Sequence, residues 1–215
     1  MKEIIIILLF FTCVISAKAQ RQSGVLAHIF ISDAYVGANI GPNAFLADGF
    51  SEYGFKGCYG LSESLFLGYN LSEYLGVRIV GSFSNLTWPG IPSRYIPMDN
   101  FNTLAMNVEI ISNLSNAFDG FNLIRPIDFL LFGGIGFISR KSNINYKEYQ
   151  SFFIKGGLQI DYRLNYKWDL SLHANANILD ERFNIQKFGI PFDLIPELKL
   201  GLTYHLRTNK RFRNR

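Results

Sequence analysis

From Trp168 to Asp180 the chain alternates apolar and polar residues. Trp168, Leu170, Leu172, Ala174, Ala176 and Ile178 share one parity, and Asp169, Ser171, His173, Asn175 and Asn177 share the other. A period of two places the two sets on opposite faces of a β-strand. The same pattern returns in 197–206, where Leu198, Leu200, Leu202, Tyr204 and Leu206 oppose Glu197, Lys199, Gly201, Thr203 and His205. In 151–164, Phe152, Ile154, Leu158, Ile160, Tyr162 and Leu164 alternate with Lys155, Gln159, Asp161 and Arg163. Five further segments read as strands: 34–46, 59–70, 74–87, 102–114 and 126–140. In the third, Leu75, Val77, Ile79 and Phe83 oppose Gly76, Arg78, Ser82 and Ser84. In the fourth, Leu104, Met106, Val108 and Ile110 oppose Asn107 and Glu109, whereas the fifth is apolar on both faces apart from Asp128 and Arg140. The pattern predicts about eight strands of spanning length, an all-β, antiparallel, up-and-down transmembrane β-barrel of the smallest common size.

The connections fit that topology. Tight turns, "LSE" and "NYK", join the second strand to the third and the sixth to the seventh. Segments 88–101, 141–149 and 180–193 are longer and richer in Pro, Asn or charge, as extracellular loops are. Three prolines in "TWPGIPSRYIPMDN" exclude a regular ladder there. The exception is 115–126, long for a periplasmic turn. Tyr69, Tyr162 and Tyr204 each close a descending strand on its apolar face, and Trp168 opens an ascending one. They are expected to form the periplasmic aromatic girdle. Alternation alone also fits a soluble lipocalin-like barrel with reversed faces. The common end of the aromatics and the wide apolar bands favour the membrane.

Composition adds the compartment. The chain is 48% hydrophobic and 15% aromatic, with 18% charged residues. Lys2 and Glu3 precede an apolar run from Ile4 to Ile15, and Ala17 and Ala19 form an A-x-A site. These are the parts of a cleaved signal peptide over 1–19, with a mature N-terminus at Gln20. The apolar run is too short to span a bilayer. A periplasmic lead over 20–33, a barrel over 34–206 and a basic tail over 207–215 complete the expected organisation. Removing the signal takes away Cys13 and leaves Cys58 alone, without a partner for an intramolecular disulfide. The formal charge is +4, but Arg207, Lys210, Arg211, Arg213 and Arg215 crowd the last nine residues. The excess therefore belongs to a tail that keeps the terminus solvated. A basic stripe on a folded face, as nucleic acid requires, is not indicated.

The block "MNVEIISNLSNAFDGFNLIRPIDFLLFGGIGF", 106–137, resembles a stretch of the OmpA-type major outer-membrane proteins of Bacteroidota. The likeness is carried by Asn113, Ser115, Asn116, Gly120, Phe121, Asn122, Arg125, Asp128, Phe129 and Gly134. "LGYNLSEYLGVRI" is similar to that family's second periplasmic hairpin, and "GLTYHL" to its closing strand. The resemblance implies an outer-membrane barrel and accounts for the long turn at 115–126. Those proteins continue into a peptidoglycan-binding domain, whereas this chain stops at Arg215. The expectation is a barrel without that domain.

The barrel reading sends Arg78, Glu109, Asp128, Lys155, Asp161, Arg163, Asp169, His173, Glu197, Lys199 and His205 to the lumen. In a narrow barrel such charges fill the interior and must be paired. A structural plug is the expectation, and a narrow pore gated by exchange of pairs is the alternative. Asp169, Ser171 and His173 also evoke the lipid-A-modifying outer-membrane enzymes, which need a base beside a nucleophile. Any polar strand face supplies that spacing, so no catalytic, cofactor-binding or metal residue is assigned and the chain is read as a non-enzyme. "FGGIG" lacks the Lys-Ser/Thr of a phosphate loop. The function indicated is a structural or interaction role in the cell outer membrane, among its lipids and lipopolysaccharide, including service as an accessory subunit of a larger complex. Mass spectrometry of the intact protein from outer membranes is expected to give a chain starting at Gln20; a chain starting at Met1 would refute the cleavage.

Overall fold

The structure, a computed structural model, describes residues 34–46, 58–88, 99–120, 122, 125–142, 148–180 and 192–206. The signal, the lead and the basic tail lie outside the described residues, as do most of the three long loops. Eight strands follow in order: β1 (Ala34–Ala44), β2 (Tyr59–Asn70), β3 (Leu75–Trp88), β4 (Asp99–Asn113), β5 (Ile127–Ser142), β6 (Glu148–Arg163), β7 (Trp168–Asp180) and β8 (Phe192–His205). Each pairs antiparallel with its sequence neighbours, and β1 pairs with β8 to close the barrel. Closure is what lets a sheet cross lipid, because no edge is left with unpaired N–H and C=O groups.

Exposure settles which face looks out. Leu65 is 70%, Ile110 63% and Phe137 67% exposed, while Arg78, Glu109, His173 and Lys199 are buried. A soluble barrel would show the reverse. The wall is an apolar belt and the interior carries the charge, the arrangement of an outer-membrane barrel.

Two ends of the ladder run further than the sequence indicates. β3 and β4 pair up to Trp88 and Asp99, so the ladder reaches the residue before Pro89. β8 begins at Phe192, inside the segment read as loop, and includes Pro196. Pro196 stands opposite Ala176 of β7. The β1–β8 ladder goes from Ile40↔Leu200 to Asn43↔Glu197 without a pair at Pro42. Proline has no N–H to give, and a weakened stretch of ladder is where a strand tolerates it.

The strand termini and the tight turns share one end. In the β2–β3 turn, Ser72 Oγ accepts from the N–H of Tyr74 at 3.2 Å and of Leu75 at 3.0 Å. In the β6–β7 turn, Asn165 Oδ1 accepts from Lys167 N at 2.8 Å and Trp168 N at 3.1 Å. Both are side-chain-capped turns that fix the register of the following strand. The long connection between β4 and β5 opens with a short helix, α1 (Leu114–Asp119). Asn113 caps it, accepting from Asn116 N at 2.9 Å, and Gly120 ends it at φ +72°. That left-handed backbone is open to glycine at little cost. Ser115 Oγ accepts from Phe129 N at 2.8 Å, and Asn116 Nδ2 donates to Glu73 O at 2.6 Å, tying this turn to its neighbour. Arg125 donates to Asp119 at 2.9 Å, to Gly120 O at 3.1 Å and to Asn116 Oδ1 at 3.2 Å. Asn113, Ser115, Asn116, Gly120 and Arg125 of the resembling motif thus hold a folded turn together, and Phe121 lies outside the described residues.

Tyr69, Tyr162, Trp168 and Tyr204 stand on the outer face at this end. Trp168 and Tyr204 are direct cross-strand partners with ring centroids 4.8 Å apart. Tyr74 and Tyr166, exposed in the two tight turns, add rings at the same boundary. Leu200→Arg, on the exterior between Leu198 and Leu202, is expected to destabilise the barrel by about 2–4 kcal/mol in lipid vesicles. Urea unfolding in vesicles reads that loss, and an unchanged midpoint would contradict the lipid-facing assignment.

Candidate functional site

Inward-pointing residues of eight strands meet across a space too narrow to stay empty, so each must find a partner. The structure divides them into tiers along the barrel. The central tier is charged. Glu109 on β4 faces Arg78, its cross-strand partner on β3, in a direct ion pair. Its other oxygen accepts from Asn107 Nδ2 at 2.7 Å and meets Lys155 Nζ of β6 at 3.0 Å. Arg78 also donates to Gln159 Oε1 at 2.8 Å, reaching across the lumen from β3 to β6. Its guanidinium lies between the Phe66 and Phe132 rings, at 5.1 Å and 4.9 Å from their centroids. A cation held over two ring faces gains from both quadrupoles. Gly134, the β5 partner of Glu109, makes room for this cluster: an added Cβ would lie 2.8 Å from Glu109 Cγ.

A second pair fills the same tier from β8. Lys199 Nζ contacts Glu197 Oε2 at 2.9 Å and donates to Ser64 Oγ of β2 at 2.9 Å. Asn175 Nδ2 donates to Glu197 at 2.8 Å. His173 packs with ring centroids 6.2 Å from both Phe66 and Phe132, and its Nε2 has no hydrogen-bond partner among the described residues.

The tier at the tight-turn end is more exposed to water. Arg163 lies 3.2 Å from Asp128 and 3.8 Å from Asp169. Asp169 contacts His205 Nε2 at 2.7 Å. Asp161 accepts from Gln159 Nε2 at 2.8 Å, which joins this tier to the centre. Ser171 Oγ sits 3.4 Å from Thr203 Oγ1. Towards the opposite end the interior turns apolar: Phe45, Leu86, Phe101, Ile138, Phe153 and Leu179 pack as one buried cluster. Between this plug and the charges, the space lined by Ser82, Asn107, Lys155, Asn177 and others has a volume of about 10 Å³, room for about one water molecule.

All the lumen residues named from the sequence lie inside the barrel, but they form separate groups. Arg78, Glu109 and Lys155 come together; Glu197 and Lys199 pair; Asp128, Arg163, Asp169 and His205 form the mouth. The two histidines do not meet a common hydroxyl. His205 is engaged by Asp169, and His173 by aromatic rings. Sequence reasoning passes over the neutral partners Asn107, Gln159 and Ser64, and over Arg140, whose guanidinium is buried 5.1 Å from the Phe101 centroid. Arg140 shares the parity of Asp128 on β5, which is the available signal. Among the described residues, no three His, Cys, Asp or Glu side chains gather as metal ligands.

No protein-family model matches the chain, and no curated sequence does. Solved structures do match in fold. The Neisserial surface protein NspA aligns at 15% identity with a TM-score of 0.53, covering 80% of this chain and 96% of that one. The outer membrane protein OprG from Pseudomonas aeruginosa aligns at 13% identity with a TM-score of 0.49, over 81% and 96%. A major outer membrane protein from Thermus thermophilus aligns at 12% identity with a TM-score of 0.49, over 80% and 98%. At such identities the likeness is one of fold. The chain is a small eight-stranded barrel of the outer membrane.

The charged tier sets a prediction. Glu109→Leu leaves Arg78 and Lys155 facing each other without their anion, at an expected cost of about 3–5 kcal/mol. Adding Lys155→Met should return part of that loss in urea unfolding on vesicles. A loss below about 1 kcal/mol for Glu109→Leu would mean that water already screens the site.

Proposed function

We propose that this chain is a non-catalytic structural or interaction protein of the outer membrane that works as an accessory subunit of a larger membrane assembly. The observation that carries the reading is the filled interior. Paired charges occupy the middle, an apolar cluster occupies one end, and the space between has room for about one water. A barrel whose inside is taken up by its own side chains does its work through its outer wall and its loops. The absence of a catalytic role is supported by the partners of the histidines, which are a carboxylate and aromatic rings. A finer kinship, with the OmpA-type major proteins of Bacteroidota, is supported by the 106–137 block. Its Asn113, Ser115, Asn116, Gly120 and Arg125 each hold a specific position in the α1 turn.

Purification of the full chain from gently solubilised outer membranes is expected to recover a stoichiometric protein partner. The isolated barrel is expected to be electrically silent in planar bilayers. A lone monomer across several mild detergents would overturn the subunit reading. Steady conductance that changes with Glu109 and Lys155 substitutions would replace it with the gated pore.

A further inference from the structure

Among the described residues of the outer wall, Glu63 is an ionisable side chain set between large apolar neighbours. Glu63 lies on the outward face of β2 between Leu61 and Leu65, which are 48% and 70% exposed. Its cross-strand neighbours on that face are Ile40 of β1 and Phe83 of β3, 49% and 48% exposed. Tyr69, at the periplasmic boundary, is six residues further along the same strand. Six residues of a tilted strand raise Glu63 about 15 Å above that boundary, well into the hydrocarbon. Leu61 and Tyr59 continue the outer face beyond it. Glu63 makes no hydrogen bond or ion pair with the described residues. The other charged groups on the outer face of the described strands, such as Lys141 and Glu148, stand at the far ends of β5 and β6. An ionisable side chain held at membrane depth on a lipid-facing wall is costly unless a partner meets it.

A second feature adjoins it. Pro42, which faces Leu61 one step along from the Ile40–Glu63 pair, forms one wall of an exterior groove with Ala44, Ala174, Pro196 and Leu198. The groove is shallow and open along its length to the exterior. Pro42, Ala44, Ala174 and Pro196 leave it lower than the larger Ile40, Leu61, Leu172 and Leu200 around it. In lipid, association is driven by close packing at small residues and by polar contacts, since lipid tails are as apolar as leucine. A groove of small residues beside a carboxylate supplies both.

We propose that the outer surface of β2, β1, β8 and β7 docks a second membrane-embedded protein, which lays a spanning segment along the groove and presents an Arg or Lys to Glu63. The inference rests on the subunit reading and assigns it a surface. A basic side chain satisfies the carboxylate by a charge-assisted hydrogen bond, which low dielectric strengthens. A second copy of this chain does not offer one, because the described outer belt contains no Lys or Arg at membrane depth. Lipid A does not either, since its phosphates repel the carboxylate and lie at the surface.

The test uses the full chain in its own outer membrane. A photoreactive benzophenone amino acid is placed at Leu65 or Ala174 on the proposed face, and at Ile135 on the opposite wall. The expected result is one protein cross-linked from Leu65 and Ala174 but not from Ile135. Glu63→Lys should lower its yield about tenfold or more, and an acidic replacement of the partner's basic residue should restore it. Glu63→Leu, which suits lipid and should leave the heat-sensitive gel mobility of the folded barrel intact, should lower the yield as well. Cross-linking to lipid alone, cross-linking to a second copy, or yields unchanged by either substitution would each overturn the proposal. A partner captured only from Ile135 would overturn this surface while leaving the subunit reading standing; recovery of no partner at all would remove both.

Discussion

Closure is the constraint on which the rest of this molecule depends. In hydrocarbon a backbone polar group without a partner costs several kcal/mol, so every strand must have two neighbours. Pairing β1 with β8 satisfies that demand with eight strands. So small a ring leaves little room inside, and the inward residues of opposite walls touch. Arg78 of β3 reaches Gln159 of β6, and Lys199 of β8 reaches Ser64 of β2. The ion pairs therefore follow from the strand count as much as from the choice of residues. Breaking one partner is expensive for the same reason that making the pair is only modestly favourable: neither charge has water to turn to.

Much of the architecture is legible in the sequence because a strand's period of two is shared by its chemistry. Where lipid lies on one side and charge on the other, alternation fixes strand, face and register together. Legibility fails where that contrast fades. β5 is apolar on both faces, so the side of Arg140 rests on a single signal, the parity it shares with Asp128 near the other end of the strand. The plug of Phe45, Phe101 and Phe153 looks like lipid-facing sequence, since an aromatic ring gives no sign of which way it points. Pro196 falls just outside the strand read at 197–206 because the weakening of the β1–β8 ladder that tolerates it is a tertiary fact. The partners of the charges are hard to choose for a related reason. Parity places a side chain in the lumen, but only the stagger of the strands decides which residues across it are level.

Glu63 is the converse case. Its parity on β2 is readable, yet a lone carboxylate among apolar neighbours draws notice only once the wall around it is known to be continuous. The α1 turn makes a similar point about resemblance. Its polar residues carry a family likeness in one dimension, and in three they are caps, ties and a positive-φ glycine. A motif can persist because a turn must be built that way.

The bond from Lys199 to Ser64 joins β8, the last strand made, to β2, which lies beyond the seam from it. This contact cannot form until β1 and β8 have met. Until then Glu197 and Lys199 lack their fully enclosed setting, and their charges need solvent. Closing the wall between β1 and β8 is therefore also what takes these two charges out of water. Locking of the central charges and sealing of the wall are then one event.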